Sequence, residues 1–174
     1  MDKAIWKEKL LEAVVGLGED GRATSEFLRR HKTYIGFWRV RTNVGAFWTF
    51  LGTIHFNSHY YSIDSDVNDI SLLTLLIHEV KHLQQGVILA FSIFGELEAW
   101  QLQFRLFHQL TGSQPYPAIA ELLALPLSLD REVLQNAARL MQAYAGKGYR
   151  ADLLPLYPLH KEIQYWLTHK LRTG

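Results

Sequence analysis

Apolar residues recur at helical spacing from the start of the chain. Trp6, Leu10, Leu11, Val14 and Val15 share one face, and the Gly-rich run from Gly16 to Gly21 ends the pattern. This predicts an amphipathic helix over about 2–16, with a second, short helix over 25–31. From Thr33 the period changes. Tyr34 to Arg41, Ala46 to Leu51 and Thr53 to Ser58 are rich in aromatic and β-branched residues, with Asn43-Val44-Gly45 and Gly52 as turns between them. Three short antiparallel strands are the simplest reading. In the third, Ile54 and Phe56 alternate with Thr53, His55 and Asn57, as in a strand with one buried and one open face.

After Asp64-Ser65-Asp66 the pattern turns helical and stays so. Asp66, with Asp69 three residues on, resembles a capping arrangement, and 67–85 can run as one helix ended by Gly86. Residues 88–110 suit a second long helix packed back on the first. The five prolines all lie between Pro115 and Pro158, where they punctuate helical stretches at about 117–125, 129–144 and 158–172. The expected fold class is α+β, a small meander followed by mostly helix, in one domain of 174 residues.

Composition narrows the function classes. Apolar residues make up 48% of the chain, which supports a sizeable core and excludes intrinsic disorder. Eighteen Lys and Arg against seventeen Asp and Glu leave a formal charge of +1, so the whole-chain balance argues for no nucleic-acid partner. The absence of cysteine excludes a disulfide framework, a thiolate zinc finger and a cysteine nucleophile. The N-terminus carries Asp2, Lys3, Lys7, Glu8 and Lys9 and no signal-like apolar run. The most apolar stretch, Val87 to Gly95, is far shorter than the roughly 18 residues that span a bilayer, so a soluble, cytoplasmic protein is expected.

The segment that carries chemistry is Leu75-Leu76-Ile77-His78-Glu79-Val80-Lys81-His82-Leu83-Gln84-Gln85. His78 and His82, four apart on a helix, share a face and can bind one zinc ion. Glu79 lies about 100° round the helix, where it can reach a metal-bound water as general base. This is the HExxH arrangement. The competing explanation is a chance pattern in a core helix. Against it, Leu72, Leu73, Leu76, Ile77 and Val80 bury this helix, and buried histidines and a glutamate need partners. Thr53 to Ser58, just upstream, is open enough for a peptide to add as an extra strand.

A third ligand comes from Phe94-Gly95-Glu96-Leu97-Glu98-Ala99-Trp100. With Leu97 at 0° and about 100° per residue, Trp100, Phe104, Phe107, Ala99, Leu106 and Leu110 form an apolar sector centred near roughly 250°. Glu96 falls near roughly 260°, inside it, whereas Glu98 falls near about 100°, beside Gln101, Arg105 and Gln109. A carboxylate in a buried face must be paired or metal-bound, so Glu96 is assigned as ligand and Glu98 as a solvated residue. A structural ion pair of Glu96 with Arg or His is the alternative.

These residues resemble the zincin metallopeptidases of the gluzincin type, whose third zinc ligand is a glutamate on a later helix, often written E-x-x-A. Glu96-Leu97-Glu98-Ala99 matches that pattern. More narrowly, Ile54-His55-Phe56 followed by Leu75 to Gly86 is similar to small prokaryotic minigluzincin-like domains, a likeness covering about 45–110. The metzincin extension is absent, since Gln85 stands where that motif has Gly and no His follows at its spacing. The resemblance implies a zincin-like fold and a zinc-dependent metallopeptidase: His78, His82 and Glu96 as zinc ligands, Glu79 as catalytic base, and a peptide or protein as substrate. The alternative is a zinc-binding but non-hydrolytic domain, or a latent peptidase, in which residues 1–44 and 112–174 form an interface or cover the cleft.

Other features are read more plainly. His55, His59, Tyr60 and Tyr61 are candidates to polarise a substrate carbonyl, but are more often strand-end groups. Arg29, Arg30, His31, Lys32, Trp38, Arg39 and Arg41 read as a charged, solvated strand edge. Gly146-Lys147-Gly148 reads as a helix C-cap. Leu159, Ile163, Trp166, Leu167 and Leu171 form an amphipathic stripe, read as core or dimer face.

Overall fold

A computed structural model describes residues 2–146, 149 and 151–170. Helix α1 (Lys3–Val15) starts where Asp2 accepts the Ala4 and Ile5 N–H groups, and buries Trp6, Leu10, Leu11 and Val14. Helix α2 (Glu19–Arg30) begins well before the expected 25. The Gly-rich run is only in part a stop, because Gly21 sits inside α2. A Cβ there would lie 1.9 Å from the Val14 carbonyl oxygen, so a residue without one lets α2 cross α1.

The three strands, β1 (Ile35–Trp38), β2 (Ala46–Trp48) and β3 (Ile54–Asn57), are shorter than the sequence suggests. Their directions alternate, but β3 inserts between the other two, in the order β1-β3-β2. It therefore pairs parallel with β1 and antiparallel with β2, a mixed sheet in place of the expected antiparallel meander. Buried Asn57 accounts for this order. Its Oδ1 accepts the Val40 N–H, and its Nδ2 donates to the Arg41 and Val44 carbonyls, stitching the loop that crosses the end of β3. The alternation expected in β3 thus holds at Ile54, His55 and Phe56 and fails at Asn57.

Helix α3 (Ile70–Gln85) starts later than expected because Asp69, not Asp66, is its cap, accepting the Ser71 N–H at 2.8 Å. Asp66 instead closes its own turn onto the Asn68 N–H. The long helix expected over 88–110 is broken into α4 (Val87–Ala90) and α5 (Ile93–Thr111). Ser92 makes the break: its hydroxyl accepts the Gly95 N–H and donates to the Leu89 carbonyl. Helices α6 (Pro117–Ala124), α7 (Arg131–Ala145) and α8 (Leu159–Lys170) follow, with a 3-10 turn at Ala151–Leu153. The fold class is α+β, mostly helical.

Two hydrophobic clusters form the interior. One joins α1, the sheet and α3 through Trp6, Leu10, Ile54, Phe56, Leu72 and Leu76. The other joins the start of α5 to α6 and α7 through Ile93, Leu97, Leu122, Leu134 and Met141. The C-terminal stripe is not core, since Leu159, Ile163, Trp166 and Leu167 are each more than half exposed. Leu171, Lys147 and Gly148 lie outside the described residues, while Gly146 caps α7 as expected. Of the basic cluster, Arg29 and Arg30 end α2, where Arg29 pairs with Glu8 of α1 at 2.7 Å, whereas Trp38 belongs to β1, an edge strand. Among the described residues no helix is long and apolar enough to cross a membrane.

Candidate metal centre

His78, Glu79 and His82 are all buried on α3, where the apolar residues around them hold that face against α5 and β2. The imidazole Nε2 atoms stand 3.0 Å apart. From the first turn of α5, Glu96 brings Oε1 to 3.6 Å from the His82 Nε2. The ligating atoms of His78, His82 and Glu96 all lie within 4.8 Å of one another. Two donors at about 2.1 Å from one tetrahedral ion would be about 3.4 Å apart, so these residues fit a metal with little rearrangement. Glu96 gets there over a short connection. Gly86 ends α3, and Gly95 lets α5 close onto α4, where a Cβ would lie 2.2 Å from the Leu89 carbonyl oxygen.

Two of the three ligands, Glu96 and His82, are held from behind. The Glu96 Oε2 accepts from the Tyr149 hydroxyl at 2.8 Å and from the Trp100 indole N–H at 3.1 Å, which leaves Oε1 turned to the histidines. The His82 Nδ1 lies 3.1 Å from the Gln85 Oε1. Glu98, expected to be solvated, is instead half-buried and pairs with Lys81 at 2.7 Å while accepting from the Gln85 amide at 3.0 Å. It stays away from the ligand cluster, as helical phase required.

The electrostatics suit a cation. Burial, and then the negative charge of Glu96, push the Glu79 carboxyl well above the usual carboxylate range, against a smaller opposing pull from the Trp48 backbone. Burial, and then His82, hold His78 well below the ordinary imidazole value. The His78 Nδ1 is buried without a hydrogen-bond partner of good geometry, although the Gln103 side chain and the Ala99 carbonyl both act to favour a protonated ring. Burial and Glu96 push the Tyr149 hydroxyl far up, so it stays protonated and serves as a donor. Both shifts, at His78 and at Glu79, are effects of burial first: the site disfavours a charged imidazole and a charged carboxylate alike, and the neutral imidazole is the form that can bind a metal.

A cleft of about 580 Å³ opens onto these residues. One wall is the run from Asn43 to Trp48, including all of β2; the other is aromatic, built from Phe104 and Phe107 of α5 with Tyr144 and Tyr149. The strand expected to receive a peptide, β3, has both edges taken, so that expectation is corrected: the free edge beside the site belongs to β2. Of the four residues proposed to polarise a carbonyl, only Tyr61 lines the cleft. His55 faces the other side of the sheet, among Tyr34, Trp38 and Phe47, while His59 and Tyr60 lie exposed after β3. Tyr149 was not found from sequence, and no local signal marks it, since it lies 53 residues from the carboxylate it holds. No protein-family model, no curated protein and no solved structure matches this chain.

Proposed function

We propose that the chain is a zinc-dependent hydrolase of peptide bonds, with a zincin-like site of the gluzincin type. The observation that carries this reading is the convergence of His78 Nε2, His82 Nε2 and Glu96 Oε1 with the Glu79 carboxyl buried on the same helix beside them. Two imidazoles and one carboxylate are a donor set suited to zinc, and three protein ligands leave a position for chemistry. The bound ion would supply Lewis-acid polarisation of the scissile carbonyl and an acidified water.

The chain's own residues then have defined tasks. Glu79 takes a proton on its carboxylate and returns it to the departing amine, and its burial makes it a stronger base than an exposed glutamate once a cation offsets the nearby charge. The Tyr149 hydroxyl, its one hydrogen donated to the Glu96 Oε2, holds that carboxylate with Oε1 toward the histidines. The free edge of β2 can align an extended peptide by backbone hydrogen bonds. Glu79→Gln in zinc-loaded protein should keep the metal and lose peptidase activity by at least about a hundredfold, the usual scale for removing a general base. Full activity in that variant would overturn the assignment.

A second reading has its own observation. The Trp48 and Phe91 rings meet 4.9 Å apart beside His82, whose ring lies 5.9 Å from that of Trp48, and Tyr144 and Tyr149 add a wall from beyond residue 112. So aromatic a surround suits a latent peptidase or a non-hydrolytic zinc-binding domain. Activity that emerges on limited proteolysis identifies the first; persistent inactivity with zinc bound identifies the second.

A further inference from the structure

Gln85 is the last residue of α3, and its amide connects three elements of the site. The Nε2 donates to the Gly95 carbonyl at 2.9 Å and to the Glu98 Oε2 at 3.0 Å, while the Oε1 lies 3.1 Å from the His82 Nδ1. A carbonyl oxygen and a carboxylate oxygen only accept, so the atom facing them must be the amide nitrogen, and both its hydrogens are then used. The amide cannot be flipped without setting oxygen against oxygen twice. The Oε1 can only accept, and the His82 Nδ1 must therefore carry the hydrogen. Glu98 is itself held, because its other oxygen pairs with Lys81 at 2.7 Å.

We propose that Gln85 is a positioning residue that fixes His82 as the Nδ1–H tautomer, with the Nε2 lone pair turned into the ligand cluster, and that Lys81 and Glu98 lock the amide in that orientation. Metal-binding histidines usually obtain this from a carboxylate or a backbone carbonyl. Here the chain Lys81–Glu98–Gln85–His82 delivers a neutral acceptor, with the charged pair one step further out. Buried His82 then accepts at Nε2 whether or not an ion is present, and the 3.0 Å contact to the His78 Nε2 is a hydrogen bond donated by His78 in the metal-free protein. For its effect on metal affinity the proposal rests on the zinc reading above; for the tautomer it does not.

The test is long-range ¹H–¹⁵N correlation NMR of the histidine rings in metal-free full-length protein, followed by zinc titration. In the wild type His82 should report a protonated Nδ1 and a bare Nε2. Gln85→Met, which keeps the length and loses the acceptor, should give a mixture of tautomers and weaken zinc binding by about 10- to 100-fold. A protonated Nε2 on wild-type His82 would overturn the proposal whatever the metal does. So would a Gln85→Met protein that folds and keeps both the tautomer and the affinity. The expected tautomer in a protein that binds no zinc would uphold the role of Gln85 and refute the zinc reading, so the two failures are told apart.

Discussion

The two hydrophobic clusters contribute differently to the site. The first, around Trp6, Phe56 and Leu76, holds the helix with His78, Glu79 and His82, and its logic is local: apolar spacing on α3 fixes which face the histidines share. The second, around Leu97, Leu122 and Met141, supplies Glu96 and brings in the aromatic groups that hold it. Half of the centre is thus a sequence motif and half is a product of tertiary packing. The lesson is that the motif helix alone is not a site: its third ligand depends on α5, whose start belongs to a second core while its later turns pack on the first.

The largest effect expected from breaking this division is at the shared ligands. His82→Ala or Glu96→Ala should each remove stoichiometric zinc, and with it the stabilisation that a saturating ion confers, about 2.7 kcal/mol at a hundred times its dissociation constant. Thermal melting with and without zinc reads this directly; a midpoint that still rises with zinc in either variant would separate that residue from the centre. Core truncations sharpen the comparison. Leu10→Ala and Met141→Ala remove fully buried side chains and should each cost about 2–5 kcal/mol of stability. Only Met141→Ala should also weaken zinc binding in the protein that remains folded, because it loosens the core behind Glu96. Equal affinities in the two variants would show that the second core does not tune the site.

A smaller change is expected from Tyr149→Phe. Removing one hydroxyl from Glu96 should cost about tenfold in zinc affinity, the low end for a group that orients a ligand, with the fold intact. Isothermal titration distinguishes this from no change, which would make the contact incidental.

The smallest effect is in pH dependence without metal. Glu79 has a folded-state pKa above that of the unfolded chain, so the folded state keeps a proton the unfolded state has lost. Its contribution to stability is therefore lost as pH rises from the ordinary carboxylate value of 4.5 through the raised one. His78 works in the opposite sense, its folded value lying below 6.5, so stability is lost as pH falls from 6.5 toward the depressed value. The melting midpoint of metal-free Glu79→Gln relative to wild type should consequently grow as pH rises above 4.5. A difference that stays constant would mean that Glu79 is not held protonated.

How much of this was legible in the sequence follows the same division. Helix α1 and the buried faces of α3 announced themselves by periodicity, and phase alone chose Glu96 over Glu98. The sheet order did not, because it is decided by one buried amide, Asn57, bonding a loop distant in sequence. The break before α5 was hidden because a single serine cap overrides an apolar run that continues through it. Gln101, on the face read as polar, is buried and donates to the Leu122 and Leu125 carbonyls at the end of α6. A residue of that type on a helix face carries no sign of whether water or a carbonyl will satisfy it. Tyr149 was illegible for the same reason, its role being set by how α7 and the following turn pack rather than by its neighbours in the chain.

The most direct measurement of the central claim is the zinc content of protein purified without chelator or histidine tag, wild type beside His78→Ala and Glu96→Ala. One zinc per wild-type chain, lost in both variants while they remain folded, is the expected result. A wild type that takes up no zinc even when it is added, or a Glu96→Ala protein that binds it as tightly, would contradict a centre shared between the two cores.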